Sequence, residues 1–384
     1  MSSLEGLVGE FLRGAMSRRQ FLQRAVGLGL TASSAGAILA ACGSKEAEPA
    51  TSPTPLDTTL PDKLILYNWT EYMPDSILKS FQKEYGVKVV QSYFDDNEAL
   101  LAKMKITGGA GYDIIIPSDY MVEIMIHTNL LQPLQMEYIP NFKYVGTRFK
   151  NPVYDNTSVN DGRKYSVPYQ WGITGIGHRT DIIPEPITKW QDLWNPKYKQ
   201  QIVMLNDERD TIGAALLTLG YSLNCKDQTQ LDEGTAKSIA QKPLVKAYDS
   251  VNTKRQLVSG VPLVQGWTGY ILAAYDALGR KNVTLEAPQE GFCLWIDNAA
   301  IPVGAPHPYA AHLFLNYILE PHIAAELVDY VWFCSPVPEA RKYSDPIVWK
   351  FVPSDAVLER GQVLRDLGTF NRQWTQAWEK VKSA

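Results

Sequence analysis

From Lys63 onward the chain alternates short apolar runs with amphipathic stretches, a rhythm that predicts strands separated by helices. Leu64-Ile65-Leu66-Tyr67 is almost wholly apolar, as in a strand covered on both faces of a parallel sheet. Pro74 and Asp75 open a helix in which Ile77, Leu78, Phe81 and Tyr85 share one face, and Gly86 ends it. Val87–Ser92 predicts a second strand, Asn97 caps a helix bearing Leu100, Leu101 and Met104, and Tyr112–Ile116 predicts a third strand. Right-handed crossovers make such βαβαβ strands parallel, so their carboxyl ends point the same way.

Further along, the glycine-spaced stretch Tyr165–Gly177 predicts an extended segment that crosses between two domains. Trp190 and Trp194 fall where a capped helical turn begins and are read as packing. Gln201–Leu205 is another buried strand, followed by Asn206-Asp207-Glu208-Arg209-Asp210 and a helix over Ile212–Leu219. Val261–Gly266 leads to Trp267 and a helix from Gly269 to Leu278. Gly291–Pro302 predicts a long apolar strand interrupted by the single acid Asp297. Helices are expected over Pro306–Leu319 and Pro321–Tyr330, and one amphipathic helix over Asp355–Lys382.

The first 42 residues have a different character. Ser17-Arg18-Arg19-Gln20-Phe21-Leu22-Gln23 reads as a twin-arginine signal, followed by a Gly/Ala-rich apolar stretch that ends in Leu39-Ala40-Ala41-Cys42, a lipobox-like sequence. A membrane span is the alternative, but the stretch is short and glycine-rich for a helix of ~20 residues. Residues 1–42 are therefore read as a lipoprotein signal ending at Cys42, the lipidation site, and 43–61 as a flexible tether. The expected location is the periplasm, reached by the twin-arginine route, with the mature protein lipid-anchored at the membrane.

At 384 residues the chain has room for two domains. A net charge of −4, from 37 basic and 41 acidic residues without a dense basic run, excludes a nucleic-acid footprint. Excluding Cys42, the count leaves Cys225, Cys293 and Cys334, an odd number, so at least one thiol is unpaired in a monomer. A Cys293–Cys334 bridge is one arrangement the count allows. No CxxC or HxxxH spacing occurs and the five histidines are scattered, so neither a metal nor a cofactor is expected.

The chemistry gathers at strand ends, where open α/β sheets place their ligand crevices. They carry Trp69, Glu71, Tyr72, Ser118, Asp119, Tyr120, Asp207, Asp210, Trp267, Trp295 and Asp297, with Arg209 as the one cation. Acids beside aromatic faces suit an organic cation, the carboxylates meeting ammonium groups and the rings covering methylenes. Blander readings stand beside this one: a core Trp69 with a solvated Glu71, or an N-cap and solvated first turn at Asp207–Asp210. Asp297 within an apolar run needs a partner, whether an arginine, backbone donors or a ligand ammonium, and the ligand is the favoured choice. Paired acids also serve glycosidases, yet no nucleophile elbow, phosphate loop or metal motif accompanies them.

In Tyr-Asn-Trp-Thr-Glu-Tyr (67–72), Ile-Pro-Ser-Asp-Tyr (116–120), Gly-Trp (266–267) and Trp-Ile-Asp (295–297), the chain resembles the periplasmic spermidine/putrescine-binding proteins of polyamine ABC transporters. The resemblance runs from about Lys63 to the C-terminus. It implies an α/β, two-lobe type II periplasmic-binding fold with hinge crossings and an interlobe cleft: lobe 1 from 62–172 plus 298–345, lobe 2 from 173–297 plus 346–384. It implies that Trp69 and Trp267 flank the ligand's aliphatic chain beside Tyr72, Tyr120 and Trp295. Asp207, Asp210 and Asp297 would then hold ammonium groups, and Thr70, Glu71 and Ser118 would add polar contacts. Three positions depart from the family pattern: Phe333 stands for a tyrosine, Leu364 for a glutamine with Gln362 nearby, and Asp210 for a glutamate. Thr70-Glu71 and Tyr120 are more similar to spermidine binders than to putrescine binders. The implied function is a monomeric, non-enzymatic polyamine receptor that delivers its ligand to ABC permease subunits. A receptor for another organic cation or small solute, or an exported carboxylate-dependent hydrolase, are the alternatives.

Overall fold

The computed structural model describes residues 55–384; the signal segment, Cys42 and the tether as far as Thr54 lie outside the described residues. The apolar strand β1 (Lys63–Trp69) lies between two neighbours, and Leu64 and Leu66, which alternate onto one face, are fully buried. It pairs in parallel with β2 (Lys88–Phe94) and with β3, which is shorter than expected at Ile114–Ile115. Helix α1 (Asp75–Tyr85) buries Ile77, Leu78 and Phe81 and ends at Gly86 in the left-handed conformation (φ 75°), where the missing Cβ removes the penalty. Helix α2 (Asn97–Thr107) is capped one residue earlier than expected, by the Asp96 carboxylate accepting from the Ala99 amide at 2.6 Å. Helix α3 (Asp119–His127) follows β3 directly.

The crossing segment is β4 (Ser166–Arg179), buried at every position. Beyond it come β5 (Ile202–Met204), α4 (Glu208–Thr218), α5 (Gln228–Gln241), β6 (Val245–Tyr248), β7 (Leu263–Trp267), α6 (Thr268–Ala277), β8 (Val283–Glu286) and β9 (Phe292–Ala300). The expected helices over Pro306–Leu319 and Pro321–Tyr330 form as α7 (Pro308–Tyr317) and α8 (Pro321–Val331). The long amphipathic helix expected over Asp355–Lys382 does not form. In its place stand a four-residue turn at Asp355–Leu358, β10 (Gly361–Gln362) paired with β9, and helix α9 (Asn371–Ser383). Strand pairing by Gly361–Gln362 and the left-handed Gly368 (φ 59°) break the helical period.

The strand order is β2-β1-β3-β9-β4-β7-β5-β6, with β8 on β4 and β10 on β9. The antiparallel pair β4/β9 is the centre: Ala300 of β9 reaches β3, while Thr174–His178 of β4 pair with β7. The main core runs along this sheet, and a second cluster joins α4 and α5 to α9 through Ile212, Leu216, Leu231, Trp374 and Val381. Trp190 is buried with its indole donating to the Gly291 carbonyl at 2.8 Å, and Trp194 donates to Lys237, so both pack as expected. Cys225, Cys293 and Cys334 are buried and free. No Cys293–Cys334 bridge forms, because Cys334 bonds through its backbone to Trp171 on the edge of β4 away from β9, leaving β4 between the two thiols. Among the described residues no helix is long and apolar enough to cross a membrane.

Candidate functional site

Register determines which side chains share a face. Gln170, Gly172 and Thr174 of β4 lie opposite Asp297, Trp295 and Trp267 respectively. Directly paired antiparallel residues point the same way and alternate positions repeat the face, so the acid and the two tryptophans form one row along β4. Four residues of strand separate its ends, about 13 Å. Gly172 permits this packing: a Cβ there would stand 2.3 Å from the Trp295 ring. Three members of the row leave buried polar atoms without a hydrogen-bond partner among the described residues, the Trp295 indole nitrogen, the Gln170 amide and the Thr174 hydroxyl.

At one end, Asp297 is 8% exposed and accepts from Tyr72 Oη at 2.6 Å and from Ser118 Oγ at 2.7 Å. Both donors are themselves positioned. Tyr169 Oη donates to the Tyr72 carbonyl, and Asn97 brackets Ser118 through its amide and hydroxyl at 3.1 Å each. Ser118 is the N-cap of α3, yet its hydroxyl goes to Asp297 instead of closing the helix. No cationic side chain among the described residues pairs with Asp297. Burial pushes its carboxyl up to about 6 although the two hydroxyls pull it down. Phe333 closes this end, its ring centroid 4.7 Å from Trp295 and 5.7 Å from Tyr72. Trp69 is half-buried, its indole donating to the Ile116 carbonyl at 2.9 Å.

At the other end, Asp210 accepts from the Trp267 indole at 3.0 Å. Burial and the charge of Asp207 push the Asp210 carboxyl up to about 7. Asp207 is also the N-cap of α4, its Oδ1 accepting from the Asp210 amide at 2.9 Å, so the capping reading holds for this side chain. Glu208 beside it is pushed up to about 7 by burial and by Asp207. Tyr120 is half-buried and donates to Glu98 at 3.2 Å; burial and the charges of Glu98 and Asp207 raise its phenol well above the usual range, which places Tyr120 within electrostatic reach of α4.

Not every expected residue joins the row. Thr70 and Glu71 are exposed in the turn after β1, Glu71 in the left-handed region (φ 55°), and line a 420 Å³ cavity with Met73, Asp75, Gln91, Tyr93 and Tyr330. That lining shares no residue with the Asp297 or Asp210 contacts. Burial, and after it the charge of Glu71, nonetheless raises the Tyr270 phenol, and Tyr270 lies 6.1 Å from both Trp267 and Phe333. Asp119, counted among the strand-end acids, turns away: it is 1% exposed and accepts from the Tyr120 and Ile296 amides.

Glu98, Gln170 and Tyr270 stand at the site without having been singled out for it by sequence reasoning, and Phe333 was marked only as a departure from the family's tyrosine. Glu98 follows the carboxyl end of β2, so the strand-end rule reaches it. Gln170 is a polar residue buried in the middle of the crossing strand, a signal akin to the one that marked Asp297. Tyr270 and Phe333 carry no local signal. Chemically, the arrangement is an aromatic-lined row with a carboxylate at each end, each held by neutral donors and unpaired with any cation of the described residues.

Residues 76–350 match the family of bacterial extracellular solute-binding proteins. The spermidine/putrescine-binding periplasmic protein of Salmonella typhimurium is 33% identical over 327 residues, covering 84% of this chain and 92% of its own. Spermidine/putrescine-binding periplasmic protein 1 of Haemophilus influenzae is 32% identical over 364 residues, covering 92% of this chain and 98% of its own. Among solved structures, the spermidine/putrescine ABC transporter substrate-binding protein PotD of Streptococcus pneumoniae superposes with a TM-score of 0.74 at 30% identity, covering 84% of this chain and 99% of that one. A PotD lipoprotein of Treponema pallidum superposes with a TM-score of 0.75 at 30% identity, covering 83% and 99%.

Proposed function

The chain belongs to the bacterial extracellular solute-binding proteins, and on that premise we propose that it is a polyamine receptor that binds spermidine or putrescine outside the cytoplasm and delivers it to an ABC importer. The observation that carries this reading is the pair of buried acids, Asp297 and Asp210, at the two ends of the row and answered only by hydroxyl and indole donors. A buried carboxylate held by neutral donors lacks a countercharge, and an ammonium at each end of a methylene chain supplies two. Trp267, Trp295 and Trp69, with Tyr72 and Tyr120, supply faces for the chain between them. Asp207 adds charge beside Asp210, Ser118 orients Asp297, and Thr70 and Glu71 make polar contacts from the edge of the cleft. The ligand is closed between two lobes, 62–172 plus 298–345 and 173–297 plus 346–384, with β4 and β9 crossing between them.

No bond of the ligand is made or broken in this scheme, and the protein acts as a monomer. Cys42 carries the lipid anchor after export by the twin-arginine route, a reading supported by the sequence Leu39-Ala40-Ala41-Cys42 and by the lipoprotein among the solved relatives. Calorimetric titration with spermidine, putrescine, an amino acid and an oligosaccharide tests the assignment. Heat with the two polyamines alone supports it. Saturable binding of the oligosaccharide alone, or release of a hydrolysis product from it, overturns it.

A further inference from the structure

Glu123 and Arg365 stand 242 positions apart and belong to differently anchored parts of the fold. Glu123 lies on α3, the helix that begins with Ser118 and carries Tyr120. Arg365 follows β10, and the chain beyond it, from Leu367 to Val381, is buried against Ile212, Leu216 and Leu231 of α4 and α5. The guanidinium spans the two parts: Nε donates to Glu123 Oε2 at 2.9 Å and Nη2 to Oε1 at 2.5 Å, while the Asp366 amide donates to Oε2 at 2.9 Å. Glu123 is 8% exposed. Its burial favours the neutral acid, yet the guanidinium and the amide hold the carboxyl below the usual range.

A second set of contacts ties this pair to the ligand-facing turn of α4. The Asn224 side-chain oxygen accepts from the Arg365 amide at 2.9 Å and from Arg209 Nη2 at 3.0 Å, and its amide donates to the Val363 carbonyl at 2.9 Å. Arg209 is buried, lies 4.8 Å over the Trp374 ring, and precedes Asp210 in the chain. The polar path therefore runs Arg209, Asn224, Arg365, Glu123, from the first turn of α4 to the helix that presents Ser118 and Tyr120.

We propose that Glu123 and Arg365 form an interlobe latch, a pair of positioning residues that touch no ligand and hold the two walls of the cleft together, aligned by Asn224 to the turn that carries Asp210. The inference rests on the two-lobe polyamine reading above. A bidentate, charge-assisted pair is made or lost as a unit when the walls move. A ligand gripped from both sides escapes only when they part, so the latch governs dissociation.

Arg365→Gln, Glu123→Gln and the double variant test it by two measurements. Spermidine dissociation, followed by stopped-flow tryptophan fluorescence, should be about tenfold faster in each single variant and no faster in the double, the signature of one shared interaction. Without ligand, solution scattering should give each variant a larger radius of gyration than the wild type. A lowered melting temperature with unchanged dissociation and unchanged radius makes the pair a static brace and overturns the latch. Additive effects on dissociation overturn it too. Should the wild type bind no polyamine, the receptor reading fails by itself, and the scattering comparison still decides the latch.

Discussion

The phenol of Tyr72 donates to Asp297 Oδ2 at 2.6 Å, joining residues 225 positions apart. With Ser118 on the other carboxylate oxygen, Asp297 is oriented by two hydroxyls and neutralised by neither. Orientation without neutralisation leaves the charge available to an incoming cation.

Asp297→Asn keeps the shape and one acceptor but removes the charge. Spermidine affinity should fall by roughly 1.5–3 kcal/mol, while the ligand-free melting temperature holds or rises, because a charge unpaired in the fold is removed. Calorimetry beside thermal unfolding separates the two. Unchanged affinity with a sharp loss of stability would make Asp297 a structural group.

The acid pair also dictates a pH response. Asp297 is raised to about 6 and Asp210 to about 7, both chiefly by burial, against about 3.9 in an unfolded chain. The folded state thus binds these protons more tightly, so the stability they contribute is full below about pH 4 and is lost as pH rises through about 6 to 7. Ligand-free protein should lose that contribution over this window. A bound ammonium favours the ionised forms, so spermidine affinity should rise across the same window with release of protons. Titration in buffers of different ionisation enthalpy reads that release, and proton uptake would contradict the assignment.

Gly172→Ala places a methyl 2.3 Å from the Trp295 ring, so either the indole or the β4/β9 pair must move. About 1–3 kcal/mol of stability should be lost through overpacking. Affinity should fall alongside, since Trp295 shares its face with Asp297. Retention of wild-type binding would remove Trp295 from the site.

Trp267 supplies both a face for the ligand and the indole donor to Asp210. Spermidine should lower the radius of gyration of the wild type in solution scattering and change its tryptophan fluorescence, and Trp267→Ala should weaken both responses. The affinity cost should be on the order of 1–2 kcal/mol. Saturating spermidine without any change in scattering refutes closure between two lobes.

Cys42→Ala should leave spermidine affinity and melting temperature at wild-type values and move the protein from the membrane fraction to the soluble fraction. Membrane retention of the variant would point to another mode of attachment.

The elements of the described region were legible because their signals are local. Apolar runs mark β1, β5 and β9, Pro74 and Gly86 bound α1, and the carboxyl end of each strand is a property of chain direction, so Trp69, Ser118 and Asp207 could be placed at strand ends from sequence, whereas Trp295 and Asp297, expected at a strand end, lie inside β9. The C-terminal helix was mislaid for the converse reason. Only pairing with β9, nearly 70 positions away, makes Gly361–Gln362 a strand and breaks the helix there. Periodicity likewise says nothing of which strand lies beside which. That Gln170 faces Asp297, that Trp295 rests over Gly172, and that Phe333 closes one end of the row are outcomes of register between distant segments. The identities of the site's acids and rings are therefore written in the sequence. Their common face, their neutral donors and the raised affinity of Asp297 and Asp210 for protons arise only when non-local pairing buries them together, because desolvation belongs to the surroundings and not to the residue.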